Sequence, residues 1–263
     1  TTSKQHRIKY TVKYMVDVTV DLETTGLAPT AAVISLGAVA WKKDAEDTPF
    51  LLNDEKKEDP FFNYYYHVDL RSLWVLGGFT FEKKTHDWWA SQSQEAKNEL
   101  TASDNEDMPC YPIQTVILGF FDWINSVKEV LGEKEVRLWA QGTDFDIAIL
   151  RNLCSRLVYT LPVQHTHLRD HRTYIHEIGD LIYKTLEQKT VISDYMFLQK
   201  RSPYALVSDY KEKNGVVHSP VYDCKRSIYT TWQLSGMVKR LLDTSDPDAA
   251  KKIIEDIRNK VQK

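Results

Sequence analysis

At 263 residues with 42% hydrophobic content, the chain can bury one large core, and no glycine- or proline-rich linker marks off a second domain. A formal net charge of −3 excludes a global field that would draw polyanions, so any such attraction must come from local basic groups or bound cations. Three widely separated cysteines, Cys110, Cys154 and Cys224, exclude a paired disulfide framework or a cysteine metal site and suggest a reducing, cytoplasmic setting, with Cys154 and Cys224 as core residues.

Residues 1–14 are basic but not apolar, and neither a signal peptide nor a membrane-spanning run is visible. They read as an extension ahead of one domain covering 15–263. The apolar Met15, Val16, Val18 and Val20 predict a strand. Asp21 and Glu23, two residues apart, then point to the same side of the pleat. Two such carboxylates repel each other unless solvent or a cation screens them, and hard divalent ions prefer carboxylate oxygens. A second strand is expected over Ala32–Trp41 and a third over Phe62–Val68, where Tyr64, Tyr65 and Tyr66 read as strand packing.

Helices follow at about Thr85–Glu99 and Ile113–Leu131. Trp88 and Trp89 point in different directions on the first, so at least one belongs to the core. Val136–Gln141 reads as a buried strand, and Ile147, Leu150, Leu153 and Leu157 recur at helical spacing over Asp146–Val158. Asp144 and Asp146 therefore sit at a strand-to-helix junction, where Asp144 is the simpler candidate for offsetting the helix dipole. Another helix covers Arg172–Thr185. Ser219 and Pro220 form an N-cap and first-turn pair for a helix through Ile228, Leu234 and Leu241, which puts His218 just ahead of it and Asp223 in its first turns. A last helix begins near Pro247, with Asp246 as its cap. Strands first and helices afterwards make an α/β layer.

Three acidic patches thus occur in order: VDLETTG at Val20–Gly26, GTDFDIAIL at Gly142–Leu150 and HSPVYD at His218–Asp223. In this order the chain resembles the DEDDh-type 3′-5′ exonucleases of the ribonuclease H-like superfamily. The first motif's acids fall on Asp21 and Glu23, the F-D of the second on Phe145 and Asp146, and the H-x-x-x-x-D of the third on His218 and Asp223. The double tryptophan of DWWASQSQEA, the WAQGTDFD stretch and RDHRT at Arg169–Thr173 resemble the phage exonuclease A type, also seen in a mycobacterial exoribonuclease branch. The likeness spans most of Val16 to about Leu242, with insertions at 42–60, 97–110 and 180–212. It departs at Gln141, where relatives usually carry asparagine, which puts the phosphate contact there in doubt.

The resemblance implies a mixed five-stranded sheet flanked by helices, with the acids at its exposed centre. It also implies two Mg²⁺ ions, replaceable by Mn²⁺, on Asp21, Glu23, Asp146 and Asp223, with His218 as general base. Histidine is the side chain that changes charge near neutral pH, and two cations can stabilise both the attacking and leaving oxygens of a phosphodiester. By the same resemblance Thr24, Leu27, Gln141, Phe145, Arg169 and Arg172 contact the substrate, Leu27 as a wedge against the terminal base. Lys225 and Arg226 are further basic candidates, for which plain solvated charge is an equal reading. His165, His167, His171 and His176 lie close in sequence, but no cysteine joins them and the carboxylates already supply a site for hard ions. The expected activity is 3′-5′ hydrolysis of DNA to nucleoside 5′-monophosphates. Trimming of RNA 3′ ends and nucleic-acid binding without catalysis are the alternatives, and the oligomeric state stays open.

Overall fold

The computed structural model describes residues 15–100, 109–189, 202–212, 215–242, 248, 251–253 and 255–256. The expected extension at 1–14 and the expected start of a last helix at Asp246 and Pro247 lie outside them. Strands β1 (Met15–Thr24), β2 (Val33–Trp41), β3 (Asn63–Val68), β4 (Cys110–Tyr111), β5 (Glu135–Ala140) and β6 (Leu168–Asp170) form one sheet in the order β4-β3-β2-β1-β5-β6. β2 is antiparallel to both β1 and β3, whereas β4, β5 and β6 pair parallel to their neighbours, so the sheet is mixed. Six strands replace the expected five. β4 and β6 span two and three residues, too short for an alternating pattern to announce them.

The helices are α1 (Leu70–Leu76), α2 (Lys83–Ser91), α3 (Gln94–Leu100), α4 (Ile113–Leu131), α5 (Ala148–Arg156), α6 (His171–Lys189) and α7 (Pro220–Leu242). The single helix expected over Thr85–Glu99 is broken in two. Ser91 Oγ and Gln92 Nε2 both donate to the Trp88 carbonyl, while Ser93 Oγ accepts the Ala96 amide as a fresh cap. Short polar side chains here offer the backbone partners that compete with a continuous helix. The Ile113–Leu131 helix lies where its periodicity predicts, because Ile113, Val116, Ile117, Phe120, Ile124 and Val127 make one buried stripe and Gly132 closes it in a left-handed turn (φ 66°).

Alternation along β1 decides what each face of the sheet carries. Val16, Val18, Val20 and Leu22 are buried with the α4 stripe and with Ile149, Leu150 and Leu153 of α5. Each such side chain contributes about 1.5–3 kcal/mol by leaving water. The opposite face carries Asp17, Thr19, Asp21 and Glu23 beneath α6 and α7. Its polar groups are partnered inside. Asp17 accepts from Arg137 Nη2 (2.6 Å) and Trp139 Nε1 (2.7 Å), and Thr19 Oγ1 meets His171 Nε2 at 2.9 Å. His171 is fully buried against the Trp41 and Trp139 rings, and its Nδ1 lies 2.6 Å from Thr231 Oγ1, so it is a core residue. Cys154 and Cys224 are buried too. Among the described residues no helix is long and apolar enough to cross a membrane.

Candidate active site

The three acidic patches meet at the C-terminal end of β1. Its pairing with β5 runs only from Met15↔Glu135 to Thr19↔Trp139, so beyond Thr19 the backbone on that side has no strand partner. The Gly142–Ile147 turn fills the gap. This turn is a wide π turn over Thr143–Ile147, and in it Asp146 Oδ1 accepts the Leu22 amide at 3.2 Å. One satisfied backbone donor thereby fixes a buried carboxylate beside Asp21 and Glu23. Asp144 stands exposed in the same first turn.

α7 brings the third patch, and a glycine permits it. Gly37 is paired with Asp21, and a Cβ on it would collide with the Pro220 ring and lie 2.8 Å from the Val221 amide nitrogen. The first turn of α7 therefore rests on the sheet next to Asp21. Asp223 reaches back to the chain entering the helix, accepting the His218 amide at Oδ2 (3.0 Å), while Arg226 donates to Oδ1 (3.1 Å). His218 sits at φ 69°, in the left-handed region, a conformation that costs a non-glycine residue about 1–3 kcal/mol and that clusters at functional sites. Its Nδ1 is 3.9 Å from Asp223 Oδ2, and its ring meets Trp88 and Trp89 edge-on at 5.0 and 5.6 Å between centroids.

The electrostatics of this cluster favour cations. Burial, and then the charges of Asp146, Glu23 and Asp223, hold the Asp21 carboxyl well above the usual carboxylate range. Burial, followed by Asp223, Asp146 and Glu99, pushes Glu23 up to about 8. Asp146 is raised to about 7 by burial, against the opposing pull of the Leu22 and Asp146 amides and Arg172. Potential ligand atoms of Glu23, His218 and Asp223 lie within 4.8 Å of one another. A divalent cation relieves this repulsion without protonating the acids, and carboxylate oxygens are the donors that hard ions take. The chemistry of the donor set therefore fits divalent metal.

Beside the acids lies a cavity of about 430 Å³, lined by Leu22, Glu23, Thr24, Leu27, Phe145, Trp88 and Trp89 together with Glu82, Lys84 and Thr85. Leu27 is 72% exposed at its mouth. Thr24 is buried, its hydroxyl donating to the Gly26 carbonyl (2.7 Å) and its own carbonyl accepting Trp89 Nε1 (3.1 Å). Trp89 is thus the core member of the tryptophan pair, while Trp88 stays 44% exposed on the cavity wall. The sequence assigned at least one of this pair to the core, which Trp89 is; the contact of both rings with His218 has no one-dimensional signal.

The remaining candidates divide. Arg172 is exposed, lies near the Gly142 turn and acts on Asp146, and Gln141 Oε1 accepts the Ser227 hydroxyl (2.9 Å). Arg169 Nη1 donates to the Thr166 and Leu168 carbonyls, so this guanidinium braces its own loop. Lys225 fits neither of its two equal readings, an attractive surface charge or a plain solvated one. Its ammonium is buried between Glu58 (2.8 Å) and Glu212 (3.1 Å), where it ties two of the expected insertions to α7.

Comparison with known proteins adds the following. The family model described as 3′-5′ exoribonuclease Rv2179c-like domain matches residues 16–194, more than half of the chain. That span holds Asp21, Glu23 and Asp146 and ends before His218 and Asp223. An exodeoxyribonuclease of Enterobacteria phage T4 is 30% identical over 141 residues, covering 53% of this chain and 56% of that protein, so the match spans little more than half the phage protein's length. The crystallographic structure of the nuclease domain of 3′hExo, a DEDDh family member bound to rAMP, aligns with a TM-score of 0.46 and 15% identity, over 86% of this chain and 92% of that one.

Proposed function

Because this chain belongs to the 3′-5′ exoribonuclease Rv2179c-like domain family, we propose that it is a DEDDh-type 3′-5′ exonuclease that releases nucleoside 5′-monophosphates from the 3′ end of DNA. The observation that carries this reading is the convergence of Asp21, Glu23, Asp146, Asp223 and His218 at one end of β1, beside a cavity sized for a nucleotide. Asp21, Glu23, Asp146 and Asp223 would hold two Mg²⁺ ions, or Mn²⁺ in their place, which when bound supply charge stabilisation for the phosphodiester oxygens. His218, oriented by its backbone bond to Asp223 and by the two tryptophan rings, takes the proton of the attacking water at Nε2. Leu27, Phe145 and Trp88 receive the terminal nucleotide, with Thr24 beneath them. DNA follows the name of the phage relative, whereas the family description supports RNA as the second reading.

The test uses matched DNA and RNA oligonucleotides, 5′-end-labelled, in Mg²⁺ with and without chelator. Hydrolysis of DNA that chelator stops is expected, and cleavage of RNA alone would move the assignment to an exoribonuclease. Asp21→Asn and Asp223→Asn should each abolish hydrolysis while circular dichroism shows the fold intact, since each removes a charged oxygen from the cation site. Unchanged cleavage by either variant would remove the two-metal reading.

A further inference from the structure

Glu82 immediately precedes α2, at the position whose side chain ordinarily caps a helix, yet it makes no cap bond to its own helix. Its carboxylate turns the other way. Oε1 accepts the backbone amides of both Leu27 (3.1 Å) and Ala28 (3.2 Å), across a sequence separation of more than fifty residues. Its own amide donates to the Thr25 carbonyl (2.8 Å), and Thr80, two residues earlier, is bonded to Thr25, Thr30 and Ala32. Gly26 makes the approach possible, because a Cβ there would lie 2.7–2.9 Å from the Glu82 carboxylate end. Leu27 lines the cavity from this loop, and Trp88 and Trp89 line it from α2.

We propose that Glu82 is a positioning residue for the exonuclease reaction, locking the Leu27 loop to the tryptophan helix so that the terminal-nucleotide pocket keeps its width. A carboxylate is suited to this because it accepts two amide donors at once, and charge-assisted bonds hold better than neutral ones. Leu27 has little of its own packing to keep it in place, being largely exposed. The Glu82 side chain bonds Leu27 and Ala28 rather than the acids or His218, and Trp89 keeps a separate bond to the Thr24 carbonyl, so losing the Glu82 contact should loosen the capture of substrate more than the chemical step.

The inference rests on the exonuclease reading, so wild-type protein must first shorten a 5′-labelled oligonucleotide in Mg²⁺. Given that activity, Glu82→Ala should raise KM on the order of 10-fold while kcat changes about threefold at most. Glu82→Gln, which keeps one acceptor oxygen, should recover most of the loss. Gly26→Ala should reproduce the Glu82→Ala phenotype by displacing the carboxylate, and the double variant should be no worse than either single one, since both break the same contact. A Glu82→Ala protein with wild-type KM, or one whose kcat falls with KM unmoved and without rescue by glutamine, overturns the assignment and leaves the exonuclease reading standing.

Discussion

His218 holds a conformation that few side chains accept, at φ 69°. His218→Asn tests the ring apart from the backbone, because asparagine tolerates the left-handed region. This variant and His218→Ala should both keep metal binding and lose about 10²- to 10⁴-fold in rate, the usual span for a general base. Higher pH should restore part of it. Wild-type rates near neutral pH would make the histidine structural. His171 makes a different prediction, about stability. Burial lowers its pKa to about 3, against an opposing push from Asp170. A folded value below the ordinary 6.5 means that the unfolded chain takes up a proton the folded one refuses. The stability it contributes is present above pH 6.5 and is lost as pH falls toward 3, by up to about 1.4 kcal/mol per unit. In denaturant titrations, His171→Gln should be less stable than wild type at pH 7, and the gap should narrow steadily at pH 5.5 and 4.5.

At the scale of elements, the approach of α7 to β2 decides whether the third patch joins the first two. Gly37→Ala places a methyl against Pro220 and the Val221 amide, a backbone contact that a side-chain rotation cannot relieve. It should cost about 1–3 kcal/mol in stability, as overpacking does. It should also draw Asp223 away from Asp21, so divalent-ion affinity, read by isothermal titration, should fall further than the shift in unfolding midpoint explains. Equal ion affinity in the variant would show that the helix start is not what assembles the site. The break between α2 and α3 belongs to this scale as well, since it ends the tryptophan helix just past Trp89.

Across the whole molecule, a net charge of −3 leaves any attraction of a polyanion to local basic groups, Arg172 being the proposed one, and to whatever cations the site binds. Binding should weaken linearly on a log-log plot against salt, because backbone contacts release counterions. A pocket walled by Leu27, Phe145 and Trp88 suits a free 3′ end, so a 5′-labelled strand should give a descending ladder and a 3′-phosphate or circular substrate should react far more slowly. Rapid cleavage of circular single-stranded DNA would instead show an endonuclease and spare the metal site.

Apolar and aromatic runs located β1, β2, β3 and β5, helical periodicity located the α4 stripe, and the Ser219–Pro220 pair located the start of α7, because burial and capping both leave local patterns that survive in one dimension. Motif order likewise singled out Asp21, Glu23, Asp146, His218 and Asp223. Only the tertiary structure decided the rest. β4 and β6 are too short to carry a period, and Lys225 reads as a surface charge until Glu58 and Glu212 close around it. The convergence of the acids needs Gly37 to admit Pro220 and needs the Leu22 amide to be left without a strand partner. Trp88 beside His218, and Glu82 on the Leu27 loop, join residues far apart in the chain, and contacts of that kind leave no local pattern for a single sequence to display.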